Sequence, residues 1–223
     1  MHKPITTRAL PFLSIFDLDH TLLRKNSSMQ FFFYLVERGF FAKKALLQVG
    51  WYRIGRGWGL VSLPLLHTRA FQAFLEGKNQ RDFEELARNF ADREFSRLFC
   101  PKMLLELENA KRRGEETLLL STSPHFLVSL FAEKFGIARA RGSTYHLNSA
   151  GHFSAIAKTM YGEQKRQFVE SLCRELAISK NHTLGFSDSI EDLPLLNQLG
   201  EVRLIRPDRR LRALSRKRGW QVL

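Results

Sequence analysis

Short apolar runs that end on polar residues alternate along this chain with longer stretches in which apolar residues recur every three or four positions. Phe12-Leu13-Ser14-Ile15-Phe16, Thr117-Leu118-Leu119-Leu120, Thr183-Leu184-Gly185-Phe186 and Val202-Arg203-Leu204-Ile205 each predict a short buried strand. Between them, Phe126, Leu127, Leu130, Phe131 and Phe135 fall on one helical face. Phe168, Leu172 and Leu176, widened by Val169 and Cys173, mark a second. Strands alternating with helices predict an α/β fold with a doubly wound parallel sheet covered on both faces. Residues 144–147 and 152–156, joined by Asn148-Ser149-Ala150-Gly151, predict a small hairpin.

The pattern changes between residues 25 and 113, where no convincing strand occurs and helix-compatible apolar runs cover residues 29–36 and 83–99. This segment predicts a helical cap inserted after the first strand. Residues 1–24 and 114–223 then form the α/β core, and residues 25–113 the cap over the strand ends, where open α/β sheets bind ligands.

Composition narrows the class. A chain of 223 residues with 44% hydrophobic content supports one full core plus a smaller unit. Cys100 and Cys173 lie far apart without C-x-x-C spacing, which argues against a disulfide framework or a zinc site and favours a reducing cytoplasm. Met1 to Arg8 carries no apolar segment of the secretory kind. Thirty-five Lys and Arg against 22 Asp and Glu give a net charge of +13, which favours anionic partners.

Candidate chemistry begins at the first strand, which runs into Asp17-Leu18-Asp19. Two carboxylates one residue apart at a sheet edge are tolerable only if a cation or a raised pKa relieves their repulsion. Asp188 likewise follows an apolar strand-like run. Hard oxygen donors of this kind suit Mg²⁺, with Asp17 and Asp188 as the carboxylate ligands.

The residues Asp17-Leu18-Asp19-His20-Thr21 resemble the D-x-D-x-T signature of the haloacid dehalogenase superfamily, whose members are mostly magnesium-dependent phosphatases. Ser121-Thr122-Ser123-Pro124, Gly162-Glu163-Gln164-Lys165 and Ser187-Asp188-Ser189-Ile190-Glu191-Asp192 resemble its three later signatures, in order. Together with Pro207-Asp208-Arg209-Arg210-Leu211 and Arg218-Gly219-Trp220, they bring the chain close to subfamily IB, the phosphoserine phosphatase-like hydrolases. The resemblance implies a phosphomonoesterase in which Asp17 becomes an aspartyl-phosphate and Asp19 gives its backbone carbonyl to the metal and its side chain to proton transfer. Ser121, Thr122 and Lys165 would bind the substrate's phosphoryl group, and Asp192 would orient Lys165 or a metal-bound water. Simpler roles exist for some of these: Ser121 as a helix N-cap, Lys165 as a solvated helix residue, Asp192 as a charge at a helix start. Asn26 stands where phosphoserine phosphatases carry a glutamate for the substrate's ammonium, so the resemblance does not extend to phosphoserine itself.

The expected substrate is a small phosphorylated molecule. From Arg38 to Leu75 no acidic residue occurs, while Lys43, Lys44, Arg53, Arg56 and Arg69 interleave with Phe40, Phe41, Leu47, Trp51, Tyr52, Trp58 and Leu60. These aromatics fit either the cap's own core or an interfacial surface on anionic membrane, where a lipid phosphate such as phosphatidylglycerophosphate would be the substrate. The longest uncharged run, residues 57–68, holds 12 residues, too short to span a bilayer. The cations from Arg203 to Arg218 raise nucleic acid as a partner, but an exposed terminal helix with Leu211 and Leu214 facing the body accounts for them more simply.

Overall fold

A computed structural model describes residues 12–46 and 62–223. The N-terminal segment and the cap residues Leu47, Trp51, Tyr52, Arg53, Arg56, Trp58 and Leu60 lie outside the described residues. The strands are β1 (Leu13–Asp17), β2 (Glu116–Pro124), β3 (Arg139–Leu147), β4 (Phe153–Lys158), β5 (Thr183–Ser187), β6 (Glu201–Leu204) and β7 (Gln221–Val222). They form one sheet in the order β4-β3-β2-β1-β5-β6-β7. Every pairing is parallel except β3 with β4, which is the expected hairpin.

The described helices are α1 (Ser27–Glu37), α2 (Leu63–Phe74), α3 (Gln80–Leu98), α4 (Pro101–Arg112), α5 (His125–Phe135), α6 (Gly162–Glu175), the short α7 (Leu193–Leu196) and α8 (Arg209–Arg218). Side chains alternate across a strand, so each central strand feeds both faces of the sheet. Leu13 and Ile15 of β1 join Leu118 and Leu120 of β2 against Val169 and Leu172 of α6. Phe16, Leu119 and Phe186 face the other way, into the cluster containing Leu127 and Phe131 of α5 and Met103 and Leu107 of α4. The sheet is therefore covered on both sides, as the periodicity predicts.

The helical segment continues that second cluster. Phe31 of α1 lies 5.4 Å from Phe90 of α3, and Phe90 packs edge-on to Phe131 of α5 at 6.2 Å. Described aromatics of the basic stretch take part: Phe40 lies 5.2 Å from Phe83, and Phe41 lies 5.5 Å from Phe74. Phe33, Phe40, Leu46 and Leu65 still keep exposed surface. Met103, Leu107 and Ala110 bury the inner face of α4, which leads straight into β2. At the other end, Leu211 of α8 is fully buried and Leu214 half-buried, while Arg209, Arg210, Arg212, Arg216, Lys217 and Arg218 point to solvent. Gly219, at φ +69°, ends α8 and turns the chain back into β7.

Candidate active site

Three parallel strand ends deliver the candidate residues to one edge of the sheet. In register, Asp17 of β1 pairs with Leu120 of β2, so Ser121 lies one step beyond it. Phe16 pairs with Phe186 of β5, which sets Ser187 beside Asp17 and Asp188 just past the strand. The stacked rings of Phe16 and Phe186, 4.6 Å apart, lock that register from below.

The chain leaves β1 through one tight turn, residues Leu18–Leu22, in which His20 adopts φ +60°. A non-glycine residue there costs about 1–2 kcal/mol. Arg206 Nη2 donates to the His20 carbonyl at 2.7 Å and holds the turn. Thr21 Oγ1 sits 3.5 Å from Asp188 Oδ1, at the limit of a hydrogen bond.

Lys165 reaches this edge from the first turn of α6, because Gly162 lets that helix approach the loop after β5. A Cβ at residue 162 would stand 2.0 Å from the Glu191 carbonyl oxygen. Lys165 Nζ donates to Asp17 Oδ1 at 2.7 Å and lies 2.8 Å from Asp192 Oδ1. Ser187 Oγ donates to Asp192 Oδ2 at 2.8 Å, so Asp192 holds the ammonium in place. The Lys165, Asp192 and Asp17 side chains keep 3%, 6% and 11% of their surface exposed, which rules out a solvated Lys165. Ser121 does not cap a helix, since Pro124 occupies the N-cap position of α5. Asp192 stands at the N-cap of α7, but its carboxylate goes to Lys165 and Ser187.

The electrostatics of the cluster follow from burial. Burial pushes the Asp17 carboxyl well above the usual carboxylate range against the pull of Lys165, and Asp192, Asp188 and Asp19 add to the rise. Burial opposes charge on Lys165, but Asp17 and Asp192 outweigh it and hold the ammonium above its ordinary value. Asp188 is pushed up to about 7 by burial and by Asp192. Asp17 and Asp192 thus share one buried ammonium, and Asp188 adds a third carboxylate nearby, leaving a surplus of negative charge that a divalent cation would neutralise.

The donor set fits Mg²⁺ on chemical grounds. Among the described residues no group of three His, Cys, Asp or Glu side chains is placed to hold a metal ion. Mg²⁺ does not ask for such a group, since it keeps several waters and takes one or two carboxylates. Asp17 and Asp188 are the carboxylates at this edge that could supply them.

Asp19 takes its side-chain partners from the start of α1 and the end of β2. Its Oδ1 accepts from the Ser27 N–H at 2.6 Å, and its Oδ2 accepts from Ser123 Oγ at 2.6 Å and from Ser121 Oγ at 3.4 Å. Thr122 differs from its neighbours: its carbonyl accepts from Ser143 Oγ at 2.7 Å, and among the described residues its hydroxyl takes no hydrogen-bond partner. Ser121 and Thr122 are neighbours in sequence, and side-chain alternation along β2 sets Ser121 and Ser123 together at the Asp19 carboxylate. That i, i+2 spacing was the available signal. Asp208, part of the late motif that carries the resemblance, has a role that the sequence does not reveal. Its N–H donates to the Asp188 carbonyl at 2.8 Å, and its carboxylate accepts from the N–H groups of Ile190 (2.6 Å) and Leu211 (2.9 Å), tying the acidic loop to α8. Asn26 caps α1, accepting from the Met29 N–H at 2.9 Å.

The sequence model of the haloacid dehalogenase-like hydrolase family matches residues 15–197, which span every group in this cluster. The chain belongs to that family. Relatives resemble it along most of its length. Phosphoserine phosphatase SerB1 of Mycobacterium tuberculosis is 25% identical, over 98% of this chain and 71% of its own. A histidinol-phosphatase of Neisseria meningitidis is 26% identical, over 95% of this chain and 97% of its own. Among solved structures, a Bordetella pertussis protein of unknown function superposes with a TM-score of 0.86 at 19% identity, covering 96% of this chain and 99% of that one. A substrate-bound phosphoserine phosphatase superposes with a TM-score of 0.67 at 14% identity, covering 91% and 90%, and so shares the fold.

Proposed function

We propose that this chain is a Mg²⁺-dependent phosphatase that hydrolyses a small phosphomonoester through an aspartyl-phosphate on Asp17. The observation that carries the reading is the buried Lys165 ammonium, 2.7 Å from Asp17 at a strand edge that also presents Ser121 and Asp188. Family membership and the phosphatase names among its relatives support the same reaction class. Mg²⁺, held by Asp17, Asp188 and the Asp19 carbonyl, would neutralise charge on the phosphoryl oxygens and on the carboxylates themselves.

Asp17 attacks phosphorus opposite the leaving oxygen. As its O–P bond forms, the bond to the alcohol breaks and Asp19 gives that oxygen a proton. Water then attacks the aspartyl-phosphate, Asp19 takes its proton, and phosphate departs with the Asp17 carboxylate restored. Lys165, fixed by Asp192, and Ser121 hold phosphoryl oxygens through both steps. Residues 25–113 act as the cap that selects the leaving group, with α4 carrying the chain back into the sheet. Asn26 spends its side chain on capping α1, which speaks against a phosphoserine-type ammonium contact there.

A membrane lipid phosphate is the second reading. Phe33, Leu46 and Leu65 keep exposed surface in the same segment as the exposed Lys43 and Lys44. No described helix is long and apolar enough to cross a membrane, so contact of this kind would be peripheral.

A purified-protein screen tests the proposal, using p-nitrophenyl phosphate, phosphoserine, phosphocholine, sugar phosphates and phosphatidylglycerophosphate in anionic vesicles. Turnover is expected with Mg²⁺, loss with a chelator, and a fall of about a thousandfold or more for Asp17→Asn. Failure to cleave any ester would overturn it. Activity confined to vesicles and suppressed by salt selects the lipid reading.

A further inference from the structure

We propose that Ser123 is a positioning residue for Asp19, fixing the carboxyl group that exchanges a proton with the leaving oxygen, and that Ser27 and Ser28 of α1 fix Ser123 in turn. This rests on Asp19 acting as the general acid described above. A carboxyl group rotates broadly about its last side-chain bond, so holding its plane takes a donor at each oxygen. Here the Ser27 N–H, in the first turn of α1, takes Oδ1, and Ser123 Oγ takes Oδ2, both at 2.6 Å. Ser121, the other hydroxyl near Oδ2, stands off at 3.4 Å and accepts from the Ser123 N–H.

Counting hydroxyl protons fixes the direction of the chain. Ser123 owns one, and while Asp19 is ionised it points at Asp19. Ser27 Oγ, at 3.1 Å, and Ser28 Oγ, at 2.7 Å, must therefore both donate to Ser123. The hydroxyl dipoles run from α1 through β2 into the carboxylate, and each strengthens the next. Ser27 and Ser123 are buried, so bulk water does not replace a bond lost at Ser123. The same contacts fasten the start of the helical insert to the strand that carries Ser121, so the insert's position and the acid's orientation are set together.

When the phosphoryl group moves to Asp17, the P–O bond to the alcohol breaks and the departing oxygen takes the proton of Asp19. An oxygen that leaves readily as an anion needs that proton little; a poor leaving group needs it to be well placed. Two esters of nearly one shape separate these cases, p-nitrophenyl phosphate with the good leaving group and phenyl phosphate with the poorer one. Their kcat/KM values report only the steps up to the first departure.

For Ser123→Ala, kcat/KM is expected to fall about tenfold or more on phenyl phosphate and less than about threefold on p-nitrophenyl phosphate. Equal losses on both esters, or none on either, overturn the assignment. Should Ser123→Ala fail to fold, Ser123→Cys, which keeps the size and weakens the donor, is read by the same ratio. Asp17→Asn and Asp19→Asn run alongside. If Asp17→Asn retains turnover, the phosphatase mechanism and the Ser123 role fall together. If Asp17→Asn is inactive and Asp19→Asn shows the selective loss while the Ser123 variants do not, only the Ser123 role falls.

Discussion

Asp188 has an environment that makes its protonation a property of the fold. In the unfolded chain it titrates in the ordinary carboxylate range, and in the fold at about 7. Between those values the folded state holds a proton that the unfolded state has released, so this group's stabilising contribution, complete at low pH, is lost as pH rises through about 7. Asp17 is shifted in the same direction. Burial lowers the pKa of His67 and His125, which gives the opposite slope below their ordinary value. Comparison with Asp188→Asn removes that background. Without metal, the melting temperature of the wild type is expected to fall more steeply from pH 5 to pH 8 than that of Asp188→Asn, and Mg²⁺ is expected to raise it most at the upper end. Thermal melts in chelator and in Mg²⁺ check this; equal slopes would remove Asp188 from the buried charge surplus. Asp17 and Asp188 were legible in the sequence because each follows an apolar run that had to be a buried strand. Ser123 was not, because its importance comes from Ser27 and Ser28, more than ninety positions earlier, meeting it in space.

The decisive element is α6, which must come close enough to the loop after β5 for a four-carbon side chain to reach between two carboxylates. Gly162 makes the approach possible, since the Glu191 carbonyl and the Pro194 ring occupy the space a Cβ would need. Gly162→Ala forces the helix start outward. It is expected to cost about 1–3 kcal/mol of stability and to lower kcat through displacement of Lys165, measured by chemical denaturation and steady-state kinetics on p-nitrophenyl phosphate. Unchanged stability and rate would show that α6 has slack at this contact. The strands β1, β2, β5 and β6 were readable from apolar runs alone, and the hairpin from its turn residues. The edge strand β7 was not, because two residues, Gln221 and Val222, carry no periodicity. The crossover role of α4 was hidden for another reason: its amphipathic pattern resembles that of α3, and its packing against β2 appears only in the fold.

Across the described residues, most positive charge lies outside and the negative charge that matters lies at the sheet edge. The cations of α8 are exposed, whereas Lys165 is enclosed by the carboxylates it partly neutralises. Phosphoryl chemistry needs this arrangement, since a buried acidic cluster can receive an anionic ester only with compensating cations beside it. A sequence-level net charge of +13 says nothing about that division; the packing of the first turn of α6 against the acidic loop supplies it. The claim on which the mechanism stands is that phosphate passes through Asp17. Acid quenching of the Mg²⁺-loaded enzyme during turnover of p-nitrophenyl phosphate, followed by mass analysis of its peptides, is expected to find a phosphoryl group on the peptide that contains Asp17, and none in Asp17→Asn. Steady release of phosphate with no phosphorylated Asp17 peptide at any quench time, together with undiminished turnover by Asp17→Asn, would contradict it.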